Sequence, residues 1–334
     1  MSESKSIIIT GANGFIGQHL VAECIDQGMQ VYAAVRKGSH IGKLGHMKCN
    51  LLEIKYDDVQ SIAVLIAKIS PDYIIHNAGL TRTPVYNEFL KVNRDYLIHI
   101  VEGVRLSGVT IQKLLFVSSL AAYGPADFQP DGIVTHTSVP HPVTNYGRSK
   151  LAAEQWLWQQ KDIPFNIIRP TAVFGPGEKD LLQVFQMIQS GINLMAGFGS
   201  QKLTFIYAKD LVQMMVRAVT NAPTHQAYFA TDGEVYRGED FPEAIQSTLG
   251  KKAITLKMPV FIIRIGAHIS ALIGKITGKF PTLYPERVNE IQARSWACDT
   301  ENIKKELDFV PQYTLSQAIN ETVAWYQKEG WLKS

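Results

Sequence analysis

Cysteine is scarce in this chain of 334 residues, which has only three: Cys24, Cys49 and Cys298. The number is odd and no two of them form a CxxC pair, so we expect neither a disulfide framework nor a zinc site. His136, His141 and His225 lack ligand spacing with a nearby carboxylate, and no metal site is expected from them. This use of cysteine favours a reducing compartment, and we expect a cytoplasmic protein.

The sequence also lacks a strong charge imbalance and a long uninterrupted apolar run. Its net charge is +3, and no basic run is interleaved with aromatic residues, so nucleic acid is not an expected partner. The apolar run at 7–9 is too short for a secretory signal peptide. Segment 258–276 is interrupted by Arg264, His268 and Lys275, whereas a membrane span needs about 18–20 apolar residues in a row. We expect no membrane span and a small molecule as the substrate.

What the sequence does contain is a regular alternation of short apolar strands and amphipathic helices. Strands are predicted at 6–10, 30–35, 52–56, 73–76, 113–118 and 165–169, and helices at 15–27, 59–69, 87–106 and 146–160. This order predicts an α/β Rossmann fold with a doubly wound parallel sheet. After about residue 175 the alternation fades into a mixed pattern. We predict an NAD(P)-binding Rossmann domain over 1–175 and a smaller mixed α/β substrate-binding lobe over 176–334, with some exchange of chain between them.

A glycine-rich turn follows the first predicted strand, with the sequence GANGFIG at 11–17. Gly11 permits a tight turn, Gly14 lets the backbone approach phosphate, and Gly17 lets the helix pack closely on the strand. The N-terminus of the following helix offers free N–H groups to a pyrophosphate. The pattern in this context predicts a dinucleotide cofactor.

The end of the second strand bears on which cofactor is bound. A carboxylate there suits the ribose 2′-hydroxyl of NAD, whereas cations suit the 2′-phosphate of NADP. The strand ends in Arg36 and Lys37 with no carboxylate, which predicts a preference for NADP and leaves NAD possible. Asp57, after the third strand, is interpreted either as a contact to the adenine edge or as a helix N-cap.

A tyrosine and a lysine stand four residues apart in YGRSK at 146–150, on one face of a predicted helix. A free tyrosine has a pKa near ~10, and a neighbouring ammonium favours the phenolate, so we expect Lys150 to lower the pKa of Tyr146. Tyr146 then serves as general acid to a carbonyl or general base to an alcohol. Ser119, at the end of the fifth strand, supplies a hydroxyl for the oxygen on which charge develops.

With these motifs in order, the chain resembles the extended short-chain dehydrogenases/reductases, also known as the NAD-dependent epimerase/dehydratase family. The resemblance spans nearly the whole chain and rests on GANGFIG at 11–17, HNAG at 76–79, VN at 92–93, SSLAAYG at 118–124, YGRSK at 146–150, RPTAVFGPG at 169–177 and LDFVP at 307–311. It implies that Tyr146 is the acid/base, that Ser119 orients the substrate oxygen and that Lys150 binds the nicotinamide ribose. It also implies support from Asn93 for a proton relay.

The turn, the strand ends and the resemblance together define the expected cofactor contacts. These are Gly11, Asn13, Gly14, Phe15, Ile16, Gly17, Arg36, Lys37, Asp57, Asp58, Asn77, Ala78, Gly79, Tyr146, Lys150, Pro170, Thr171 and Val173. Because the helices at 87–106 and 146–160 pair across subunits in many relatives, the resemblance further implies a homodimer.

Departures from the family pattern bear on the reaction. Dehydratases usually carry an Asp-Glu pair where this chain has Leu120 and Ala121, which disfavours dehydration. Leu203 stands where sugar-nucleotide epimerases usually place an arginine for the substrate diphosphate, and Thr171 replaces an asparagine. The remaining pattern resembles the dihydroflavonol reductase and 3β-hydroxysteroid dehydrogenase branch. It implies reversible hydride transfer between the nicotinamide cofactor and the carbonyl or secondary alcohol of a relatively apolar molecule.

Three alternatives stay open beside that reading. One is a sugar-nucleotide epimerase of the same superfamily. Another is a non-catalytic NAD(P)-binding sensor or assembly factor, although such relatives tend to lose the tyrosine or lysine that this chain keeps. The third concerns the apolar and cationic segment 258–284, which is interpreted chiefly as a helix packed on the cofactor domain and alternatively as a peripheral contact with membrane or lipid.

Overall fold

A seven-stranded parallel sheet forms the centre of the molecule. The computed structural model describes residues 4–197, 199–277 and 280–333. The strands are β1 (Ser6–Thr10), β2 (Gln30–Val35), β3 (Asn50–Glu53), β4 (Tyr73–His76), β5 (Lys113–Val117), β6 (Phe165–Pro170), β7 (Ala172–Phe174), β8 (Ile192–Ala196), β9 (Lys202–Leu203), β10 (Phe205–Tyr207), β11 (Gln226–Ala230), β12 (Tyr236–Arg237) and β13 (Ile254–Met258). The central sheet has the order β11-β6-β5-β4-β1-β2-β3. The predicted doubly wound Rossmann fold is confirmed.

Strand β1 occupies the middle of the sheet, and Ile7, Ile8 and Ile9 are all buried. Such a continuous apolar run is expected of a parallel strand that helices cover on both faces. From β1 the chain proceeds to β2 and β3 on one side, then crosses to β4 and β5 on the other. The strand order therefore reverses between β1 and β4, and ligands of such sheets bind beyond the carboxyl ends of the strands at this point.

Twelve helices are described: α1 (Phe15–Asp26), α2 (Val59–Ile69), α3 (Tyr86–Leu90), α4 (Tyr96–Ser107), α5 (Asn145–Leu157), α6 (Leu182–Gln189), α7 (Ala208–Thr220), α8 (Asp240–Leu249), α9 (Val260–Thr277), α10 (Pro285–Ile291), α11 (Glu301–Leu307) and α12 (Leu315–Lys328). Helices α1 and α7 cover one face of the sheet, and α2, α4 and α5 cover the other. Each sheet face is thus buried in its own apolar layer.

Two predicted elements differ from those observed. The single helix predicted over 87–106 is α3 and α4 joined by a π-helical turn, Lys91–Asp95. The third strand lies at Asn50–Glu53 rather than 52–56, because its pairing with β2 runs from Tyr32–Asn50 to Val35–Glu53 and ends where β2 ends.

The later half of the chain builds a second layer of structure around aromatic side chains. Phe174, Phe185, Phe205, Phe241 and Tyr326 form one buried cluster under α6, α8 and α12. Strand β11 and helix α7 nevertheless return to the Rossmann sheet and its α1 layer. The lobe boundary at residue 175 stays a prediction.

Helix α9 differs from the expected packing. Its buried residues, Ile263 and Ala267, contact Val288 of α10 in a small cluster of the later half, so the expectation that it packs on the cofactor domain is wrong. Most of its other apolar side chains are exposed. Within the described residues, α9 is the one helix that is both long enough and apolar enough to cross a membrane, judged by length and composition alone. Lys279, grouped with this segment above, lies outside the described residues.

Candidate active site

The glycine turn connects β1 to α1 at the reversal of the strand order. Gly11 has a φ of +64°, and a methyl group there would approach the Cα of Ala78 to 2.8 Å. A methyl group on Gly17 would meet the Gly11 carbonyl oxygen at 2.2 Å. Gly14 is exposed at the start of α1, where a methyl group would meet only that oxygen, at 3.3 Å. The fold therefore requires glycine at 11 and 17, while Gly14 leaves open space before the helix.

This space fits the pyrophosphate of a dinucleotide. The first turn of a helix has N–H groups without intrahelical partners and carries a partial positive charge. The first turn of α1 contains no acidic residue, and its N-cap, Gly14, has no side chain to occupy the donors. The backbone of Phe15, Ile16 and Gly17 would hold the phosphates here.

The remaining residues of the turn are fixed by contacts with other loops. Asn13 Nδ2 donates to the His40 carbonyl at 3.3 Å, which joins the turn to the loop after β2. Phe15 packs edge-on against His19, and the His19 ring hydrogen-bonds the Pro176 carbonyl oxygen at 2.8 Å. Ile16 is partly buried in the α1 layer.

Arg36 and Lys37 are exposed just beyond the last residue of β2. Their position relative to the turn is indicated by Tyr56, whose buried phenol lies near the Thr10 side chain and the Gly11 backbone. Burial raises the pKa of Tyr56 to about 12, and the Arg36 charge acts in the opposite direction. Arg36 thus lies close enough to the glycine turn to act on its electrostatics. Among the described residues neither cation is in an ion pair.

The two aspartates after β3 are engaged by the protein. Asp57 is exposed and pairs with Lys91 at 3.1 Å. The Asp58 side chain accepts the Ser61 N–H at 2.9 Å and is the N-cap of α2. The helix-cap interpretation offered for Asp57 therefore applies to its neighbour, and an adenine contact by either residue stays a prediction.

The segment after β4 joins the glycine turn to the catalytic residues. Asn77 Nδ2 donates to the Gly11 carbonyl at 3.3 Å, and the Ala78 N–H donates to Thr10 Oγ1 at 3.1 Å. A methyl group on Gly79 would stand 3.2 Å from the Lys150 ammonium nitrogen. The three residues therefore lie between the two halves of the site, as expected of groups along the nicotinamide end of the cofactor.

His76, at the end of β4, is completely buried. Its Nδ1 is 3.0 Å from Thr10 Oγ1. Burial, with the nearby Lys150 charge, lowers the pKa of His76 to about 3. The imidazole is therefore neutral at physiological pH and does not exchange protons with the substrate.

Asn93 lies in the π-helical turn and is completely buried. Its Oδ1 accepts the Leu80 N–H at 2.8 Å, and its Nδ2 donates to the Leu80 carbonyl at 3.0 Å and to Ser149 Oγ at 2.9 Å. Both hydrogens of the amide are thus committed to the protein. These bonds fix the loop after Gly79 against α5, and a proton relay through Asn93 stays a prediction.

Ser119 and Tyr146 meet at the carboxyl end of β5. Ser119 Oγ accepts the Ala121 N–H at 3.1 Å, and the Ser119 side chain lies near enough to the Tyr146 phenol to favour its ionised form. Burial raises the pKa of Tyr146 to about 12, and the nearby Ser119 only partly opposes this. The expectation that this pKa is lowered is therefore wrong for the protein alone, because loss of solvent outweighs the favourable contacts.

Lys150 lies one helical turn beyond Tyr146 and is buried. Its Nζ donates to the Val117 carbonyl at 2.8 Å and stands 5.0 Å from the centroid of the Phe116 ring. Burial lowers the pKa of Lys150 to about 8, opposed by the charge of Glu154. The lysine thus has its ammonium in a desolvated position between β5 and the loop at Gly79, where a ribose hydroxyl would find a donor.

A buried ion pair lies beneath these residues. Arg169 Nη2 and Glu154 Oε2 are 2.7 Å apart, and both side chains are 2% exposed. Ser118 Oγ also donates to Glu154, and the Arg169 guanidinium stacks on the Tyr123 ring at 4.3 Å. The network links α5, β5 and β6 directly behind Lys150 and Ser119.

The residues after Arg169 form the other wall of the site. Pro170 ends β6, and the Thr171 N–H and hydroxyl both donate to the Ala230 carbonyl, at 3.0 and 3.2 Å. Val173, in β7, is partly buried against the core layer of α1. Contacts of these three residues with a cofactor stay predictions.

Helix α10 covers the start of α5. Glu286 accepts the Asn145 N–H at 3.0 Å, and Asn289 Nδ2 donates to the Val143 carbonyl at 3.3 Å. Tyr284, just before α10, and Glu290 both lie near enough to Tyr146 to raise its pKa. The later half of the chain therefore contributes directly to the surroundings of the catalytic hydroxyl.

Sequence reasoning missed several residues of this site. Glu154 extends the spacing of Tyr146 and Lys150 by one further turn, so an i, i+4 search along α5 would have found it. Thr10 and Tyr56 carry no motif, and only the folded sheet brings them to the glycine turn.

No group of three or more histidines, cysteines, aspartates or glutamates is placed to hold a metal within the described part of the chain. The three cysteines are free thiols. Burial raises the pKa of Cys24 and of Cys298 to about 12, so neither is a reactive thiolate.

A Rossmann sheet, a bare glycine turn and a serine–tyrosine–lysine site define an NAD(P)-binding enzyme fold. Residues 7–230 match the NAD dependent epimerase/dehydratase family, and the chain belongs to that family.

Relatives of this chain span several reactions. It is 24% identical to an N-acetyl-alpha-D-glucosaminyl-diphospho-ditrans,octacis-undecaprenol 4-epimerase of Escherichia coli O157:H7, over 96% of this chain and 95% of the relative. It is 25% identical to a ceramide reductase of Caulobacter vibrioides, over 98% and 96%. It is 24% identical to the decarboxylating sterol-4-alpha-carboxylate 3-dehydrogenase of Saccharomyces cerevisiae, over 97% and 99%.

Among solved structures, the Bordetella bronchiseptica enzyme WbmG, in complex with NAD and UDP, superposes with a TM-score of 0.77 at 17% identity, over 98% of this chain and 96% of that one. At this identity the likeness establishes the fold. The family is enzymatic, and its members include epimerases, dehydratases and dehydrogenases.

Proposed function

We propose that this protein is an NADP-preferring oxidoreductase that transfers hydride reversibly between the nicotinamide and the carbonyl or secondary alcohol of a relatively apolar molecule. The observation that carries the proposal is that Ser119 lies beside the Tyr146 phenol, with the Lys150 ammonium buried one helical turn away. These are the groups needed to place and protonate one oxygen atom.

The chemistry is balanced by one hydride and one proton. The bound cofactor supplies the hydride to the carbonyl carbon. Ser119 Oγ holds the carbonyl oxygen, and Tyr146 Oη donates the proton to it as negative charge develops. In the reverse direction Tyr146 removes the alcohol proton. Because the pKa of Tyr146 is about 12 in the protein alone, the phenol is fully protonated at neutral pH and suited to the reductive direction.

Two features support an apolar substrate over a sugar nucleotide. Leu203, at the position where epimerases carry a diphosphate-binding arginine, is a partly buried member of the aromatic cluster. One cation of the later half, Arg287, is paired with Glu290 at 2.9 Å. The names of the ceramide reductase and the sterol dehydrogenase among the relatives point to lipid ketones or alcohols.

The preference for NADP is supported by Arg36 and Lys37. They stand exposed at the end of β2, next to the turn that would hold the pyrophosphate. A phosphomonoester forms stronger, charge-assisted hydrogen bonds with such side chains than a ribose hydroxyl does.

Epimerisation of a sugar hydroxyl is the second candidate, favoured by the undecaprenol-linked epimerase among the relatives. It would use the same three residues, but its cofactor would return to its starting state after each turnover. Net consumption of the cofactor therefore separates the two functions.

The test is a screen of ketones and secondary alcohols with NADPH and NADP, read at the nicotinamide absorbance. We expect NADPH oxidation with long-chain 3-keto amides or 3-keto sterols dispersed in detergent, and no turnover or micromolar binding of UDP-, GDP- or dTDP-sugars. Tyr146→Phe is expected to lose at least about 100-fold in kcat while still binding NADPH. Conversion of a nucleotide sugar without net NADPH loss would overturn the proposal in favour of an epimerase. Unchanged cellular function of Tyr146→Phe would favour a sensor.

A further inference from the structure

Helix α9 turns an apolar face away from the body of the protein. Six of its apolar side chains are each more than half exposed: Phe261, Ile265, Ile269, Leu272, Ile273 and Ile276. At 3.6 residues per turn they fall within an arc of about 120°. Its buried residues, by contrast, lie on the opposite side of the helix, against α10. An exposed apolar stripe of this length is unusual for a protein surface that faces only water.

The stripe is bordered by positive charge. On the helical wheel Arg264, His268 and Lys275 fall within about 40° of one another, between the buried side and the apolar stripe. The chain from 244 to 285 contains six lysines and arginines and no aspartate or glutamate. The neighbouring strand β13 is also exposed, with Ile254 72% exposed, and it contains Lys257. An apolar stripe with a cationic border is the pattern of a helix that lies in the interface of an anionic membrane.

The charge distribution favours lipid over a second copy of the chain. In a two-fold dimer the same patch meets itself, and the segment 244–285 contains no carboxylate that could pair with the lysines and arginines of a second copy. An anionic bilayer supplies both complementary partners, acyl chains for the stripe and phosphates for the cations.

A surface position also fits better than a membrane span. Arg264, His268 and Lys275 are distributed along the helix, and charged side chains within the hydrocarbon core of a bilayer are energetically costly. In addition, Ile263 and Ala267 hold one side of the helix against Val288.

We infer that α9 is an interfacial anchor that binds the protein to anionic membrane surfaces. Glu286 of α10 accepts a bond from Asn145, and Tyr284 lies near the Tyr146 phenol. The anchor packs on α10, and α10 in turn contacts the start of α5, the helix that carries Tyr146. Membrane binding itself does not rest on the proposed reaction.

The test is co-sedimentation of the full chain with vesicles of phosphatidylcholine alone and of phosphatidylcholine with about 30% phosphatidylglycerol. We expect the protein to bind the anionic vesicles. Binding to neutral vesicles, or to anionic vesicles at high salt where the charges are screened, should be at least tenfold weaker. The double variant Ile265→Ser/Ile269→Ser should bind at least tenfold more weakly. The matched control Val64→Ser/Val310→Ser, at exposed apolar positions outside the patch, should bind like the unmodified protein, as should Tyr146→Phe.

Circular dichroism checks that both double variants fold. Absence of binding to anionic vesicles, or equal binding by the α9 variant and the unmodified protein, would overturn the inference. So would a change from dimer to monomer in the α9 variant without vesicles, which would make the stripe a subunit contact, or resistance to carbonate extraction, which would indicate a span.

Discussion

At the scale of single residues, burial rather than motif decides the protonation of the catalytic groups. The spacing of Tyr146 and Lys150 identified both residues, but not the direction of the tyrosine pKa, which depends on how much solvent the folded protein removes. The same burial lowers the pKa of Lys150 to about 8. At neutral pH the buried Lys150 ammonium therefore destabilises the folded protein. Such a loss of stability is typical of ionisable groups placed for function.

Replacement of Lys150 tests this cost. In the unfolded chain the lysine pKa is the ordinary value of 10.5, and in the folded protein it is about 8. The penalty for burying the charge is therefore complete below pH 8 and is relieved as pH rises from 8 to 10.5. We expect Lys150→Met to stabilise the cofactor-free protein by about 1–3 kcal/mol at pH 7, with the gain shrinking toward pH 10, while activity falls at least about 100-fold.

Urea unfolding at several pH values measures the effect. Lys113→Met is the matched control, since Lys113 is also buried and donates to a backbone carbonyl, that of Ala222, outside the site. It should keep its activity. Destabilisation of Lys150→Met at pH 7, growing with pH, would contradict the account.

Cofactor choice is likewise a property of a few side chains. Arg36→Ala/Lys37→Ala should weaken NADPH binding by about 10- to 100-fold, because each charge-assisted bond to the 2′-phosphate contributes about 1.5–3 kcal/mol at most, and should leave NADH binding nearly unchanged. Nucleotide fluorescence titrations compare the two, with Lys55→Ala, an exposed lysine after β3, as the control. Equal weakening of NADPH and NADH would show that these cations do not read the phosphate.

At the scale of elements, the sheet and its glycine turn were predictable because buried parallel strands are continuous apolar runs. Periodicity did not reveal the π-helical turn at 91–95, because the apolar pattern predicts a helix but does not show which carbonyl each N–H bonds. That turn holds Asn93 against Leu80 and Ser149. The departure from regular helix thus occurs at a residue that positions the site.

The ion pair Glu154–Arg169 joins α5 to β6 next to the site and gives a prediction at this scale. Glu154→Gln removes one charge of a pair that is 2% exposed on both sides and leaves the Arg169 charge uncompensated. We expect a loss of about 3–5 kcal/mol in the free energy of unfolding, because the desolvation penalty is no longer offset. Denaturant unfolding measures this loss.

The exposed pair Lys305–Glu301 is the control, and Glu301→Gln should change the free energy of unfolding by less than about 0.5 kcal/mol. A loss for Glu154→Gln as small as that of the control would mean that the buried pair does not hold α5 to β6.

At the scale of the whole molecule, the first half of the chain could be predicted in more detail than the second. Strand–helix alternation prescribes a Rossmann sheet, but the later residues form three small two-stranded sheets and return one strand, β11, to the central sheet. The sequence also did not predict that an apolar face of α9 points outward. Composition shows that a helix is amphipathic, but it does not show which side packs on the protein. The homodimer through α4 and α5 stays a prediction.

The central claim is that Tyr146 assists hydride transfer to the carbonyl carbon of an apolar substrate. The most direct measurement is mass spectrometry of the alcohol formed from a long-chain ketone and NADPH deuterated at C4 of the nicotinamide. NADPH is labelled separately at each of the two prochiral positions of C4. One of the two labelled cofactors should place a single deuterium on the carbinol carbon, and Tyr146→Phe should form almost no labelled alcohol. Absence of labelled alcohol from every ketone tried, with label-free interconversion of a sugar hydroxyl instead, would contradict the account.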